Sequence, residues 1–165
     1  MRHDLEHQLK RRFPALYPPH FTFYVEDGWF DLLWAISDDL ERIGLELPDR
    51  PKLNVQQVKE KFGALRFYVT HAPDEMRQRI QNAQSDSERI CELCGQPGQI
   101  MVKSFFWAAR CPDCIEADIR QTQNEHGYTP EWLTAGDFIE RHKDTLYPPL
   151  PGAPSGLGAA SAKQE

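Results

Sequence analysis

The sequence predicts an α+β fold: a small mixed helix and hairpin domain with a four-cysteine module embedded in it. Three observations carry that expectation. Apolar side chains recur at helical spacing in some stretches and alternate in others. Proline and glycine punctuate the boundaries between those stretches. All four cysteines fall between residues 91 and 114, as two Cys-x-x-Cys pairs. The 165 residues match the size of one ordinary domain, and 40% of them are apolar, so the chain can bury a core. No run approaches the ~20 apolar residues that cross a bilayer. The start, Met1-Arg2-His3-Asp4-Leu5, lacks the apolar stretch of a secretion signal. A soluble, cytoplasmic chain with no membrane partner is expected.

The elements follow in order. Residues 4–13 form a short helix that Pro14 stops, and Pro18 and Pro19 impose an extended connection. Phe21–Val25 alternates and reads as a strand. Asp27 is placed as the N-cap of an amphipathic helix carrying Phe30, Leu33, Ile36 or Ser37, Leu40 and Ile43 and ending near Gly44. Trp29 and Trp34 are expected in the core. Leu53, Val55 and Gln57 alternate, as do Leu65, Phe67 and Val69, with Gly63 at the turn of a hairpin. The charged run Lys59-Glu60-Lys61 is a poor strand former, so a helix over 54–62 competes. Pro73 opens a polar helix with Met76, Ile80, Ala83 and Ile90 along one stripe. The expected organisation is an N-terminal lobe over 1–88, a metal module with a C-terminal helical segment over 89–147, and a flexible tail over 148–165.

Cys91 and Cys94 are separated by two residues, as are Cys111 and Cys114, with sixteen residues between the pairs. Each pair permits a tight turn that aims both sulfurs at one point. Two such turns give a tetrahedron of thiolates, which zinc accepts without electronic penalty. Two disulfides are disfavoured in a reducing compartment, a redox pair needs one turn only, and iron–sulfur clusters use other spacings. One structural zinc ion per chain is the cofactor expected. Gly95 suits the first knuckle, 99–103 and 105–109 pair as a hairpin, and Pro112 starts a helix over 113–123. Knuckle, hairpin and helix over residues 89–124 resemble a treble-clef zinc module. Treble-clef nucleases use a histidine-rich metal site, and His126 is the one histidine nearby, so that activity does not carry over.

No catalytic constellation stands out. His3 and His7 lie four apart without a zinc-protease motif, and no phosphate-cradling loop or serine elbow is present. Asp38, Asp39 and Glu41 read as a solvated helix face. The chain is therefore expected to be a recognition protein, not an enzyme, with an enzyme of unrecognised motif acting on nucleic acid as the remaining alternative. Its net charge is −6, spread evenly, with residues 1–90, 91–125 and 126–165 each at −2. No basic block favours nucleic acid, although Lys59, Lys61, Arg66 and Arg110 form a smaller candidate set. Phe105, Phe106 and Trp107 form an aromatic run suited to a protein partner, followed by Tyr128, Trp132, Phe138 and Ile139. The other reading of those aromatics is that they close the metal module onto the N-terminal core.

Gly28-Trp29-Phe30-Asp31-Leu32-Leu33, the stretch Val58–Tyr68 with its Lys-Phe-Gly-Ala-Leu-Arg-Phe-Tyr, and the two Cys-x-x-Cys pairs together resemble a family of short bacterial and bacteriophage zinc-binding proteins. The likeness spans roughly residues 24–115. It implies a bacterial or phage cytoplasmic setting and supplies no catalytic residue. Inhibition of a host complex or neutralisation of a toxin is the role expected of a phage or mobile-element protein of this size.

Overall fold

The computed structural model describes residues 1–48 and 53–146, so the expected tail lies outside the described residues. Among the described residues the chain forms five α-helices and two three-stranded sheets, a mixed α+β architecture. Helix α1 (His3–Arg12) ends as expected, with Leu9 and Phe13 buried beneath it. Strand β1 is shorter than the alternation implies, Phe23–Tyr24 alone, and it runs parallel to β2. The flanking residues are engaged elsewhere: Phe21 N–H closes a turn on Pro18 O at 2.9 Å, and the Met1 amino group donates to Val25 O.

Asp27 does not cap α2. A 3-10 turn, Asp27–Trp29, precedes that helix, and the Asp27 carboxylate accepts instead from the Arg2 backbone N–H and Nε, both at 2.6 Å. Helix α2 (Phe30–Glu46) passes through Gly44 and stops at Leu47, which is extended. Pro48 is the cause, because its ring excludes helical geometry from the residue before it. Leu32, Leu33, Ile36 and Leu40 face the core, with Trp29 fully buried and Trp34 half-buried edge-on to Phe13 at 5.3 Å.

Strands β2 (Asn54–Lys61) and β3 (Ala64–Thr70) form an antiparallel hairpin with a bulge between Val55 and Gln57. The competing helix over 54–62 is excluded: cross-strand pairing from Val58↔Phe67 to Lys61↔Ala64 carries the charged run. Val58, Leu65 and Phe67 give that ladder a buried face. The turn has two residues at positive φ, Phe62 at 56° and Gly63 at 76°, the geometry that matches strand twist. Helix α3 (Asp74–Ser87) packs Met76, Ile80 and Ala83 on this sheet. It ends before Ile90, which bridges to Pro97 instead of extending the stripe. Ser87 holds the junction: its Oγ accepts from Leu65 N–H at 2.8 Å and donates to Gln84 O.

The second sheet has the order β5-β4-β6. Strands β4 (Gln99–Lys103) and β5 (Phe106–Arg110) form the expected hairpin, with Ser104 and Phe105 at positive φ in its turn. Helix α4 (Pro112–His126) runs past 123 until Gly127 caps it in the left-handed region. Strand β6 (Leu133–Thr134) adds to the free side of β4, and α5 (Ala135–Leu146) lays Phe138 on the hairpin. Asp118 ties these pieces together, accepting from Lys103 Nζ at 2.6 Å and from Trp132 Nε1 at 2.9 Å.

Two tests follow from this packing. Trp29→Phe removes the indole N–H bonded to Ile90 O at 3.0 Å and shrinks a fully buried ring. It is expected to cost about 1–3 kcal/mol by denaturant unfolding. Burial acts to raise the Asp118 carboxyl, but Lys103 and Trp132 outweigh it and hold it below the usual aspartate range. A depressed folded value stabilises the protein above the unfolded value and is lost as pH falls through the folded one. Asp118→Asn should therefore lower the melting temperature at neutral pH and converge on the native protein in strongly acidic buffer.

Candidate metal centre

The first cysteine pair sits on a turn closed by its own backbone. Gly95 N–H donates to Cys91 O, and Cys91 N–H to Gln96 O, both at 2.8 Å. Gly95 holds φ at 78°, where a side chain would be strained. The second pair uses a helix start. Cys111 is the N-cap of α4, Pro112 fills its first turn, and Cys114 N–H donates to Cys111 Sγ at 3.5 Å. Strands β4 and β5 set the distance between the two turns.

The fold brings all four sequence-predicted ligands together: the Sγ atoms of Cys91, Cys94, Cys111 and Cys114 lie within 4.8 Å of one another. Cys94 Sγ is 3.5 Å from both Cys111 and Cys114, and all four cysteines are free of disulfides. The cluster is half sunk, with Cys91 and Cys111 buried and Cys94 exposed. Burial pushes the Cys91 thiol up, but backbone N–H groups of Cys111, Cys94 and Leu93 outweigh it and bring it down to about 7. Burial, with the Cys91 and Cys111 sulfurs added to it, pushes Cys94 and Cys114 up. A thiolate at Cys91 is thus eased, while thiolates at Cys94 and Cys114 are resisted. A bound cation removes that resistance, because it neutralises the charge the sulfurs would otherwise share.

Sequence reasoning missed what the cysteine loop rests on. Gly28 N–H donates to Glu92 O at 2.7 Å, so the 3-10 turn lies directly on the first knuckle. A Cβ on Gly28 would overlap Cys91 O and Gly95 N and come within 2.6 Å of Cys94 N, all backbone atoms. Glu92 is buried among the same groups. It pairs with Arg110 Nη1 at 3.2 Å and accepts from Glu26 N–H at 3.3 Å, while burial holds its carboxyl above the usual range. Arg110 is accordingly withdrawn from the candidate nucleic-acid set: it is 9% exposed and occupied by Glu92 and Ala109 O. Gly28 opens the Gly28–Leu33 stretch that carries the family likeness, but nothing in the sequence pairs it with residue 91.

Other candidates stay apart from the cluster. Among the described residues the four cysteines are the one group of three or more possible ligands found together, so His3 and His7 stand as a stacked surface pair, their rings 6.3 Å apart. Phe105 and Phe106 are 57% and 53% exposed, whereas Trp107 is half-buried against Phe138 at 5.6 Å between ring centres. Phe105 also packs edge-on to Phe138 and His142. No described helix is long and apolar enough to cross a membrane.

Gly28→Ala is expected to destabilise the protein by about 3 kcal/mol or more, because the overlapping atoms are backbone and cannot rotate away. The same variant should bind metal more weakly than wild type when both are titrated against a chromophoric chelator. An unchanged melting curve and unchanged affinity would show that the turn does not support the knuckle. No known protein family matches the chain, and no curated protein or solved structure matches it either.

Proposed function

We propose that the four cysteines hold one zinc ion and that the domain stiffened by it recognises a protein partner. The observation that carries this reading is the closed donor set. Four sulfurs around one ion leave no position for water or substrate, unlike a catalytic zinc with three protein ligands. A tetrahedron with zinc–sulfur bonds of ~2.3 Å has edges of about 3.8 Å. The 3.5 Å separations of Cys94 from Cys111 and Cys114 lie near that edge, and all four sulfurs fall within 4.8 Å of one another. The knuckle, hairpin and helix make the module treble-clef-like, and its role is structural: it binds and orients, with no reaction assigned to it. A bacterial or phage setting, with a host complex or toxin as the target, is the wider context we propose.

The partner surface we propose is the aromatic end of the β4–β5 hairpin. Phe105 and Phe106 present large apolar area beside the metal module, as interface anchors do. Trp107, the third residue of the run, shares contact with Phe138 and so backs Phe105.

Purified, reduced protein is expected to contain one zinc per chain by elemental mass spectrometry. Chelation should lower its melting temperature, and Cys114→Ser should reduce both zinc content and stability. A folded, reduced protein without zinc would overturn the metal reading. For the surface, Phe106→Ala should weaken a co-purifying protein complex by about 2 kcal/mol or more while leaving zinc content unchanged. A complex that survives the substitution intact removes Phe106 from the interface.

A further inference from the structure

The cations of this protein are distributed in a way its net charge of −6 conceals. Among the described residues nearly every lysine and arginine has a carboxylate within 4.0 Å, and the exceptions are Arg11, Lys59, Lys61 and Arg66. Three of those four lie on one side of the first sheet. Val58, Leu65 and Phe67 point into the core, so the alternating side chains of Lys59, Lys61, Arg66 and Tyr68 point away from it.

Register sharpens the pattern. Tyr24 pairs with Lys59 across β1 and β2, and Lys59 pairs with Arg66 across β2 and β3. Tyr24, Lys59 and Arg66 therefore form one row across the sheet, with two like charges directly opposed. Such a pair is destabilising unless something relieves it; no carboxylate among the described residues lies within 4.0 Å of either cation, and Arg66 Nη1 donates to Leu65 O at 3.1 Å. Tyr24 and Tyr68 are 62% and 43% exposed, and Lys59 Nζ lies 5.6 Å from the Tyr68 ring centre. Phe62, 60% exposed at the hairpin tip, has Lys61 Nζ 5.3 Å from its own ring centre.

We propose that this sheet face binds single-stranded nucleic acid, with Lys59, Lys61 and Arg66 on phosphates and Tyr24 and Tyr68 stacking on bases. Charge complementarity selects a polyanion. The interleaved flat rings select one whose base faces are open, because every base has a π-face to stack and a duplex hides it. A row of unpaired cations gives the backbone its track. The inference does not rest on the hairpin aromatics of the proposed protein interface, which belong to the other sheet.

The test uses the full-length, zinc-loaded protein and fluorescence anisotropy with a labelled oligothymidine and oligouridine of about a dozen nucleotides. Binding is expected, with a log–log salt slope near −2, since three phosphate contacts contribute about 0.7 each on a single strand. Lys59→Gln and Arg66→Gln should each reduce that slope by about 0.7. Tyr68→Leu should weaken binding roughly 5- to 150-fold with the slope unchanged. Zinc content and melting temperature report whether each variant is folded, and the glutamine variants test the face independently of the tyrosine. Absence of single-strand binding at low salt overturns the proposal. So does equal affinity for a duplex of the same sequence with no effect of Tyr68→Leu, and so does a salt slope untouched by Lys59→Gln and Arg66→Gln. A protein captured through this face in place of the oligonucleotide would overturn it as well.

Discussion

The contact of the Asp27–Trp29 turn with the Cys91–Gly95 loop is the constraint on which the two halves of the chain depend. It is built from backbone on both sides, with Gly28 against Cys91, Cys94 and Gly95, and Gly28 N–H bonded to Glu92 O. Trp29 then enters the main core fully buried while its indole N–H reaches back to Ile90 O. A cysteine loop alone is a short segment whose ordering costs about 1–2 kcal/mol per residue of backbone entropy. Resting on a turn anchored in the main core, it inherits rigidity from a much larger buried cluster. Metal binding and lobe packing are therefore one thermodynamic unit: whatever loosens the turn makes four sulfurs harder to gather, and whatever removes the ion loosens the platform beneath Trp29.

Most elements of the fold were legible because they rest on local periodicity. The stripes of α2 and α3 and the alternation of β2 and β3 all correspond to buried faces. Errors came where a distant residue competes for a local group. Asp27 has the chemistry of a helix cap, but Arg2 reaches its carboxylate with two donors. Residues 21–25 alternate like a strand, yet the Met1 amino group takes Val25 O and leaves only Phe23–Tyr24 to pair. The charged run at 59–61 looked unfit for a sheet because propensity ignores the partner strand. Pairing with Arg66, Leu65 and Ala64 supplies the ladder, and only alternate side chains need an apolar environment.

The metal centre divides the same way. Its four ligands were readable because two-residue spacing is a local geometric requirement that each turn satisfies by itself. Its support was not, since the pairing of Gly28 with the knuckle spans more than sixty residues. Arg110 shows the converse failure. Sequence placed it with the cations free to meet phosphate, whereas the fold sinks it beside Glu92. Removing either partner of that buried pair would strand the other, so both are held by the architecture of the cysteine loop and neither is available to a ligand.

Once Arg110 is set aside, the remaining cations of the candidate set become more coherent. Lys59, Lys61 and Arg66 share the solvent side of one sheet, whereas most other basic side chains are matched to carboxylates. Folding has a simple way to relieve opposed like charges, by placing an acidic residue at the neighbouring register position. On this sheet the nearest carboxylate in sequence, Glu60, points to the other side and accepts from Gly63 N–H, where it shapes the turn. Its alternation with Lys59 and Lys61 thus separates charge of opposite sign across the sheet. A chain that is acidic as a whole presents a local positive face, and range decides which property a ligand meets. Beyond a Debye length of ~8 Å the net charge is screened, and within it the unpaired row dominates.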